Sequence, residues 1–394
     1  MSTNGQPVVG VVGGGQLARM MYQAAISLGV ELRVLAASSA DAAAQIAHDV
    51  TVGDWNDVDV LRAFAAPCDA ITFDHELVDP ATVEVLEDSG ILVHPGAGTL
   101  RQAADKAQQR ILCDALGIAT PKHLIATEAA DVAAGAHRFG YPMVAKLARG
   151  GYDGRGVFWL ADALETTELF ERLSPNTVVV LEPELTLKAE LATQVARRAD
   201  GTMVQYPVVQ TYQQDGICLM LEAPADIDTA MARQAQDWAA TLADAVGAVG
   251  VLAVEFFVTD EGLVVNEMAP RPHNSGHYSI DACVTSQFEN HLRAVLGLPL
   301  GNPDLVVPAA VMVNLIAGRT PSAELETLTA DPRARVHRYG KSSRPGRKIG
   351  HITFCGTDRP SLLRQATSFS EPASPRADEP ATGYIPCPTT EVRS

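Results

Sequence analysis

The chain has 394 residues, of which 47% are hydrophobic, and a formal net charge of −17 at pH 7. This length predicts two or three domains, and the acidic balance argues against nucleic acid or an anionic membrane as a main partner. A small anionic substrate is still compatible with this net charge, because a local basic pocket can form on an acidic protein. The six cysteines form no CxxC pair, no apolar run has membrane-spanning length, and no leader is recognisable, so we expect a cytoplasmic protein with reduced thiols.

The N-terminal stretch predicts a strand–turn–helix unit. Residues 8–12 are apolar, glycines occupy 13–15, and 16–28 has the pattern of a helix. Glycines here can admit an anion to the helix N-terminus, but no acid or arginine follows the second strand, 31–35, as a nicotinamide nucleotide would require. A dehydrogenase is therefore disfavoured. Simple helix–sheet packing and a phosphate or ribose contact both stay open, the latter through Gln16 and Leu17.

A predicted strand over 70–73 leads into a short acidic segment. Carboxyl ends of strands in open α/β sheets face the ligand crevice, so Glu76 is a candidate ligand contact. Residues 99–116 then predict one helix, in which Lys106 and Arg110 lie one turn apart. On their own these two cations are typical of a solvated basic face.

After this first α/β domain, over residues 1–117, a glycine-rich loop at 150–156 stands between two predicted strands, 141–147 and 157–160. Backbone N–H groups of such a loop can fold over phosphates, and Lys146 just before it favours a nucleotide. No GKS or GKT follows, so the loop is not of the Walker type. A flexible hairpin turn is the alternative.

Two further predicted strands place acidic residues where they could bind a nucleoside. A strand over 177–181 ends at Glu182, and a strand over 189–196 carries Glu190. An inter-domain strand can bind adenine through its backbone while a carboxylate accepts from the ribose hydroxyls, and residues 182–185 with Glu190 fit those parts. Any glutamate at a strand end would fit equally well by chance.

Residues 250–277 predict a β-hairpin followed by a polar loop, and the rest of the chain is organised around them. For a turn centred near residue 261, Glu255 and Glu267 lie opposite each other. Two facing carboxylates need a cation, and oxygen ligands without His or Cys favour Mg²⁺. An edge hairpin with solvated acids is the alternative. The loop after it is crowded with polar side chains: Arg271, His273, Asn274, Ser275 and His277.

The C-terminal region contains a basic cluster and then loses its periodicity. Lys341, Arg344, Arg347 and Lys348 lie within eight residues, ahead of a predicted strand. In so acidic a chain this cluster indicates an anion site, with a solvated turn as the alternative. From residue 357 onwards Pro, Ser and Thr dominate, which predicts a disordered tail over 357–394.

Four motifs in this order resemble the N5-carboxyaminoimidazole ribonucleotide synthetase family of ATP-grasp ligases: GGGQLARM (13–20), GGYDGRG (150–156), NEMAPRPHNSGH (266–277) and RPGRKIGH (344–351). The resemblance runs from residue 8 to about 354 and implies a multidomain fold of α/β and α+β type. It implies a Rossmann-like parallel-sheet domain over 1–117, an ATP-grasp domain over 118–300 with a flap subdomain (121–183) and a metal-binding subdomain (184–300), and a small C-terminal β-rich domain over 301–356.

The activity that the resemblance implies belongs to de novo purine biosynthesis. Bicarbonate, activated by ATP as carboxyphosphate, carboxylates the 5-amino group of 5-aminoimidazole ribonucleotide and leaves ADP and phosphate. The implied cofactors are ATP and Mg²⁺, which Mn²⁺ can replace, and the implied assembly is a homodimer. The alternatives are a formate-dependent glycinamide ribonucleotide transformylase and an inactive ATP-binding paralogue. The residues of the GGYDGRG and HNSGH motifs favour the carboxylase over the transformylase. The presence of Glu255, Glu267 and the basic cluster disfavours an inactive paralogue.

The resemblance also assigns site residues by position. The metal ligands are Glu255 and Glu267. The ATP contacts are Lys106, Lys146, Gly151, Tyr152, Asp153, Gly154, Arg155, Gly156, Val157, Glu182, Pro183, Glu184, Leu185, Glu190, Gln213, Asn266 and Glu267. The substrate contacts are Gln16, Leu17, Glu76, Tyr152, Arg155, Arg271, His273, Asn274, Lys341, Arg347 and Lys348. Catalytic roles fall on Arg271, His273 and Asp153, of which the last two are alternatives for handling the proton.

Three features depart from the family pattern. Lys106 and Arg110 stand in the reverse of the usual order, and Gln213 replaces the usual histidine, which makes its ATP contact doubtful. The family closes with a helix after the final strand, whereas the Pro-rich composition here predicts none.

Overall fold

The structure is a computed structural model that describes residues 5–150, 156–320 and 325–370. Its helices are α1 (Gln16–Leu28), α2 (Val58–Ala65), α3 (Pro80–Asp88), α4 (Ala97–Ala103), α5 (Lys106–Leu116), α6 (Ala129–Phe139), α7 (Ala163–Arg172), α8 (Thr229–Ala245), α9 (Ser279–Ala282), α10 (Gln287–Val295), α11 (Leu325–Leu328) and α12 (Arg359–Ser370), with a 3₁₀ turn at Asn274–Gly276. Among them, none combines the length and apolar character needed to cross a bilayer.

The strands form three sheets within the described residues. They are β1 (Val8–Val12), β2 (Glu31–Ala36), β3 (Asp49–Val52), β4 (Ala70–Phe73), β5 (Leu124–Ala126), β6 (Met143–Leu147), β7 (Val157–Leu160), β8 (Val179–Pro183), β9 (Ala189–Arg197), β10 (Met203–Gln205), β11 (Val209–Gln214), β12 (Ile217–Ala223), β13 (Gly250–Thr259), β14 (Gly262–Ala269), β15 (Ala309–Ile316), β16 (Arg335–Arg338) and β17 (Lys348–Gly356).

The first sheet is parallel, with strand order β3-β2-β1-β4. Strands β1 and β4 are buried along their whole length, which explains their uninterrupted apolar sequence. Val12 pairs with Phe73, so both strands end at the same edge. The glycine turn after β1 therefore lies beside the acidic segment after β4, and the predicted Rossmann-like parallel sheet is confirmed.

The second sheet, β5-β8-β6-β7, carries the loop that the glycines predicted. Strands β6 and β7 are antiparallel, and Lys146 pairs with Val157 at the loop end of the hairpin. The backbone N–H of Leu147 donates to the carbonyl of Gly156 at 2.8 Å. These contacts bring the two ends of the loop together.

The third sheet is antiparallel and nine-stranded, in the order β14-β13-β9-β11-β12-β15-β17-β16, with β10 pairing to β9. The predicted C-terminal β-rich region, over 301–356, contributes β15, β16 and β17 to this sheet, because Met220 of β12 pairs with Val313 of β15 and the sheet continues across the boundary. Its strands pair with distant segments, which local sequence patterns do not reveal.

The predicted disordered tail is wrong for its first part, because α12 forms over Arg359–Ser370. Leu362 and Ala366, one turn apart, are buried against β15 and β17. The closing helix that the composition argued against is thus present. Residues 371–394 lie outside the described residues.

The predicted helix over 99–116 is in fact two helices, α4 and α5, which are separated by a break at residues 104–105. The side chain of Asp105 accepts from the N–H groups of Ala107 at 2.9 Å and Gln108 at 3.1 Å, so a new helix begins at Lys106. The backbone N–H of Lys106 donates to the carbonyl of Ala148 at 2.8 Å. This bond ties α5 to the second sheet.

A buried histidine fixes the first domain against the third sheet. The Nδ1 of His291 accepts from the N–H of Val251 at 3.0 Å, so its Nε2 carries the proton and donates to the hydroxyl of Thr72 at 2.7 Å. Burial lowers the pKa of His291 to about 3, which keeps the ring neutral. Gly250, at φ +107°, leaves room for the ring, since a Cβ there would lie 2.7 Å from it. Strands β4 and β13 are thereby held in a fixed relation.

Candidate active site

A cavity of about 1010 Å³ opens where the three sheets meet. Glu76 reaches it from the first domain, Lys146 from the second sheet, and Glu255 and Lys348 from the third. Such a cleft between domains is where small-molecule sites commonly form.

The acidic pair lies at one wall of this cavity in the predicted register. Glu255 pairs directly with Glu267 across β13 and β14, and a β-bulge follows at Phe256. The hairpin does lie at the edge of its sheet, but both acids line the cavity and are only partly exposed, at 18% for Glu255 and 34% for Glu267, so the alternative of solvated acids is wrong. The prediction that these two carboxylates face each other is confirmed.

The two acids differ in charge environment. Burial, followed by the charge of Glu267, raises the pKa of Glu255. Burial opposes ionisation of Glu267 as well, but the ammonium group of Lys106, which contacts its Oε2, lowers its pKa. Two opposed carboxylates with the amide oxygen of Asn266 beside them form an oxygen donor set that fits a hard divalent cation.

Arg110 is fully buried, and the predicted solvated basic face is therefore wrong. Its Nε and Nη2 donate to Oε1 of Glu182 at 2.9 and 2.6 Å, and Lys146 Nζ lies 2.8 Å from Oε2 of the same acid. Burial of Glu182 is outweighed by Lys146 and Arg110, which lower its pKa to about 2. The Glu182 side chain is thus held by both Arg110 and Lys146.

Glu190 and Gln213 form a linked pair in the same cavity. The Nε2 of Gln213 donates to Oε2 of Glu190 at 2.7 Å. Burial raises the pKa of Glu190 to about 6, and Lys146 only partly opposes this. Glu190 can therefore accept from a hydroxyl group when it is ionised, while Gln213 orients it.

The polar loop after β14 is held by side-chain hydrogen bonds. Gln287 accepts from the N–H of His273 at 3.0 Å and donates to its carbonyl at 2.7 Å. His273 Nδ1 lies 2.8 Å from the hydroxyl of Ser275. The side chains of Asn274 and Asn314 exchange two bonds, of 2.9 and 2.8 Å. The loop is therefore preorganised toward the cavity.

Asp74 is a cavity residue that sequence reasoning missed. Its Oδ2 accepts from the N–H of Gly15 at 2.5 Å, and a Cβ at Gly13 or Gly15 would lie 1.8 or 2.4 Å from this carboxyl group. Burial raises the pKa of Asp74 despite His75 beside it. The lack of a side chain at Gly13 and Gly15 thus leaves room for the carboxylate of Asp74. The signal that selected Glu76, a polar residue at the end of β4, applied equally to Asp74.

Most predicted site residues converge on this cavity, and a few do not. Those that line it are Gln16, Leu17, Glu76, Lys106, Lys146, Val157, Glu182, Pro183, Glu184, Leu185, Glu190, Gln213, Glu255, Asn266, Glu267, Arg271, His273, Asn274 and Lys348. Gly156 and Arg347 do not line it, and Arg347 instead donates to the hydroxyl of Ser342 at 2.9 Å. Lys341 does not line it either, but its ammonium group contacts Gln16. Gly151, Tyr152, Asp153, Gly154 and Arg155 lie outside the described residues.

The second and third sheets enclose a cleft that is lined by lysines and carboxylates. This arrangement is that of an ATP-grasp enzyme. Residues 111–288 match the ATP-grasp domain, residues 7–104 the ribonucleotide synthetase preATP-grasp domain, and residues 310–365 the phosphoribosylaminoimidazole carboxylase C-terminal domain. The third match reaches into α12, in agreement with the structure.

Similar proteins narrow the class to one family. The N5-carboxyaminoimidazole ribonucleotide synthase of Mycobacterium tuberculosis (strain ATCC 25618 / H37Rv) is 46% identical over 369 residues, which cover 91% of this chain and 86% of the relative. The N5-carboxyaminoimidazole ribonucleotide synthetase structure from Thermus thermophilus superposes with a TM-score of 0.83 at 35% identity, over 92% of this chain and 97% of the other. A structure from Aspergillus clavatus, in complex with ADP and 5-aminoimidazole ribonucleotide, gives 0.82 at 30%, over 93% and 98%.

The chain therefore belongs to the N5-carboxyaminoimidazole ribonucleotide synthase family. It is an ATP-grasp ligase of purine biosynthesis that carries out an ATP-dependent carboxylation.

Proposed function

We propose that this chain carboxylates the 5-amino group of 5-aminoimidazole ribonucleotide with bicarbonate, and that ATP is converted to ADP and phosphate in the process. One observation carries the proposal: a single cavity holds the Glu255–Glu267 pair, the lysines beside it and the loop with Arg271 and His273. These are the groups needed to place a nucleotide, a small anion and an amine in one space.

ATP takes the part of the cavity between the second and third sheets. Lys146, and Lys106 once released from Glu267, supply positive charge for the phosphates, and Glu190 accepts from a ribose hydroxyl. Mg²⁺, or Mn²⁺ in its place, would be held by Glu255 and Glu267, and when bound it spreads the charge developing on the transferred phosphoryl group.

Bicarbonate is a weak nucleophile that must approach an anionic phosphate, so cations have to hold it in position. Arg271 fits this role because its guanidinium is buried at the cavity wall and oriented by Glu76. A bicarbonate oxygen attacks the γ-phosphorus, the bond to the bridging oxygen of ADP breaks, and carboxyphosphate forms. The 5-amino nitrogen then attacks the carboxyl carbon, phosphate leaves, and the nitrogen loses a proton.

The proton acceptor is one of two groups. His273 is held by Ser275 and by Gln287, and its Nδ1 lies 3.8 Å from Glu255, which suits a proton relay. Asp153 is the alternative, with Tyr152 and Arg155 as further contacts from the flap, and all three lie outside the described residues.

The substrate 5-phosphate is assigned to the basic cluster. Lys348 lines the cavity, and Lys341 contacts Gln16 of the first domain. Arg347 belongs to the same proposal only if its contact with Ser342 is exchanged for the phosphate. A buried lysine in an acidic chain suits an anionic group.

Release of ADP tests the proposed function. We expect a coupled ADP assay to show turnover that requires 5-aminoimidazole ribonucleotide, bicarbonate and Mg²⁺ together. Turnover with glycinamide ribonucleotide and formate would instead support the transformylase, and ADP release independent of either acceptor would overturn both. The homodimer that the resemblance implies stays a prediction, which light scattering on the purified chain tests.

A further inference from the structure

A second group of metal-ligating side chains lies behind the polar loop. Asp281, His337 and His351 each offer one ligand atom, and these atoms all lie within 4.8 Å of one another. Asp281 belongs to α9, which follows the loop, whereas His337 and His351 are direct partners across β16 and β17. Two cross-strand imidazoles and a carboxylate from a helix therefore meet at one point.

Hydrogen bonds hold these groups in place, and a metal ion would displace the proton between His337 and Asp281. His337 Nε2 lies 2.8 Å from Oδ2 of Asp281, and His351 Nδ1 lies 2.8 Å from the hydroxyl of Tyr339. His351 Nε2 is buried and finds no hydrogen-bond partner among the described residues. Burial, with His277 and His337 nearby, keeps the pKa of His351 well below its ordinary value, so the ring is neutral and one ring nitrogen has a free lone pair.

Burying a polar atom without a hydrogen-bond partner costs free energy, so a buried nitrogen of this kind is often explained by a ligand. When Nδ1 of His351 donates to Tyr339, the lone pair on Nε2 is free for a cation. This is the usual arrangement of a ligating histidine, whose second nitrogen is held by another group.

His277 is close by but does not complete the set. Gln287 Oε1 accepts from the N–H of His273, so its Nε2 is the amide nitrogen that donates to His277 Nδ1 at 3.1 Å. His277 Nε2 therefore carries the proton and offers no lone pair. The set therefore has three protein ligands, Asp281, His337 and His351.

We propose that Asp281, His337 and His351 form a transition-metal site, for Zn²⁺ or a metal of similar preference, separate from the Glu255–Glu267 pair. Two imidazole nitrogens and one carboxylate oxygen are donors that favour zinc over magnesium. The rings of His337 and His351 are stacked at 4.5 Å with 14° between their planes, so one ring would have to turn for both imidazoles to bind the same ion. A bound ion joins α9, at the end of the polar loop, to β17, which begins at Lys348.

Zinc binding to the full-length protein tests the site. Calorimetry with Zn²⁺ in a large excess of Mg²⁺, which occupies the carboxylate pair, is expected to give one equivalent of tight binding and a rise in melting temperature. His337→Asn is expected to weaken binding about 100-fold or more, and Tyr339→Phe, which removes only the outer contact, about 10- to 100-fold. His137→Asn, at an exposed position of α6, is the matched control and keeps full affinity.

Glu255→Gln separates this site from the catalytic one. The proposal requires that it keep the equivalent of zinc that His337→Asn loses, with circular dichroism showing both variants folded. Loss of that zinc in Glu255→Gln and its retention in His337→Asn would assign the ion to the acidic pair and overturn the proposal. Absence of any zinc equivalent beyond the acidic pair would overturn it as well.

Discussion

Arg271 and Glu76 form a two-point ion pair that joins the third sheet to the first domain. Arg271 Nη2 donates to Oε1 of Glu76 at 3.0 Å, and Nε contacts Oε2 of the same carboxylate. Burial raises the pKa of Glu76, but Arg271 outweighs it and the net shift is downward. The sequence predicts both residues as substrate contacts, and the structure shows that they also form an ion pair with each other. Glu76 thereby fixes which edge of the guanidinium is left for a ligand.

Glu76→Gln is expected to lower kcat/KM for bicarbonate about 10- to 100-fold, because an ionic hydrogen bond of this kind contributes roughly 1.5–3 kcal/mol. Steady-state kinetics with bicarbonate as the varied substrate measures the effect, and Glu84→Gln on α3 is the control. If Glu76→Gln changed only the KM for ATP, Arg271 would not be acting on bicarbonate.

Glu267→Gln is expected to weaken Mn²⁺ binding in the presence of ATP by at least about tenfold, since one of two carboxylate ligands loses its charge. Electron paramagnetic resonance of free Mn²⁺ reports this without turnover. Glu261→Gln, in the exposed turn of the same hairpin, keeps normal affinity. Equal Mn²⁺ affinity in the wild type and Glu267→Gln would refute the metal assignment.

Affinity for ATP is expected to depend on pH through Glu190. Its pKa is raised by burial to about 6, and the ionised form accepts from the ribose hydroxyl, so affinity is full above about pH 6 and is lost as the pH falls through that value. Direct nucleotide titrations between pH 5 and 8 measure the step. Glu190→Gln should bind more weakly with a flat profile; a step that survives this substitution belongs to another group.

Gly15→Ala is expected to destabilise the fold by about 1–3 kcal/mol, because its Cβ would lie 2.4 Å from the carboxylate of Asp74. Chemical denaturation measures the loss. The penalty should shrink in an Asp74→Ala background, as a double-mutant cycle shows. Gly98→Ala, inside α4 with nothing near its Cβ, should be neutral or slightly stabilising. Identical penalties in both backgrounds would mean that Asp74 is not the cause.

The sequence predicted those features that depend on neighbours in the chain. The facing of Glu255 and Glu267 follows from a tight turn and a period of two, and the structure has the same pairing. The turn after β1 and the loop between β6 and β7 were found for the same reason, since glycines mark both.

Features that depend on distant partners were missed. Arg110 is predicted as solvated because its partner, Glu182, lies 72 residues further along the chain, on β8 of the second sheet. The helix α12 was overlooked because Pro and Ser dominate its surroundings, although Leu362 and Ala366 stand one turn apart. The sheet that runs on through β15 and β17 requires pairings that no local pattern contains.

Transfer of oxygen from bicarbonate to phosphate tests the central claim most directly. With [¹⁸O]bicarbonate, 5-aminoimidazole ribonucleotide and ATP, the account predicts that phosphate released by the enzyme carries one ¹⁸O atom, because the bicarbonate oxygen that attacks the γ-phosphorus stays bonded to it. Mass spectrometry of the phosphate gives the answer. Phosphate without ¹⁸O, formed alongside the carboxylated product, would contradict a carboxyphosphate intermediate in this cavity.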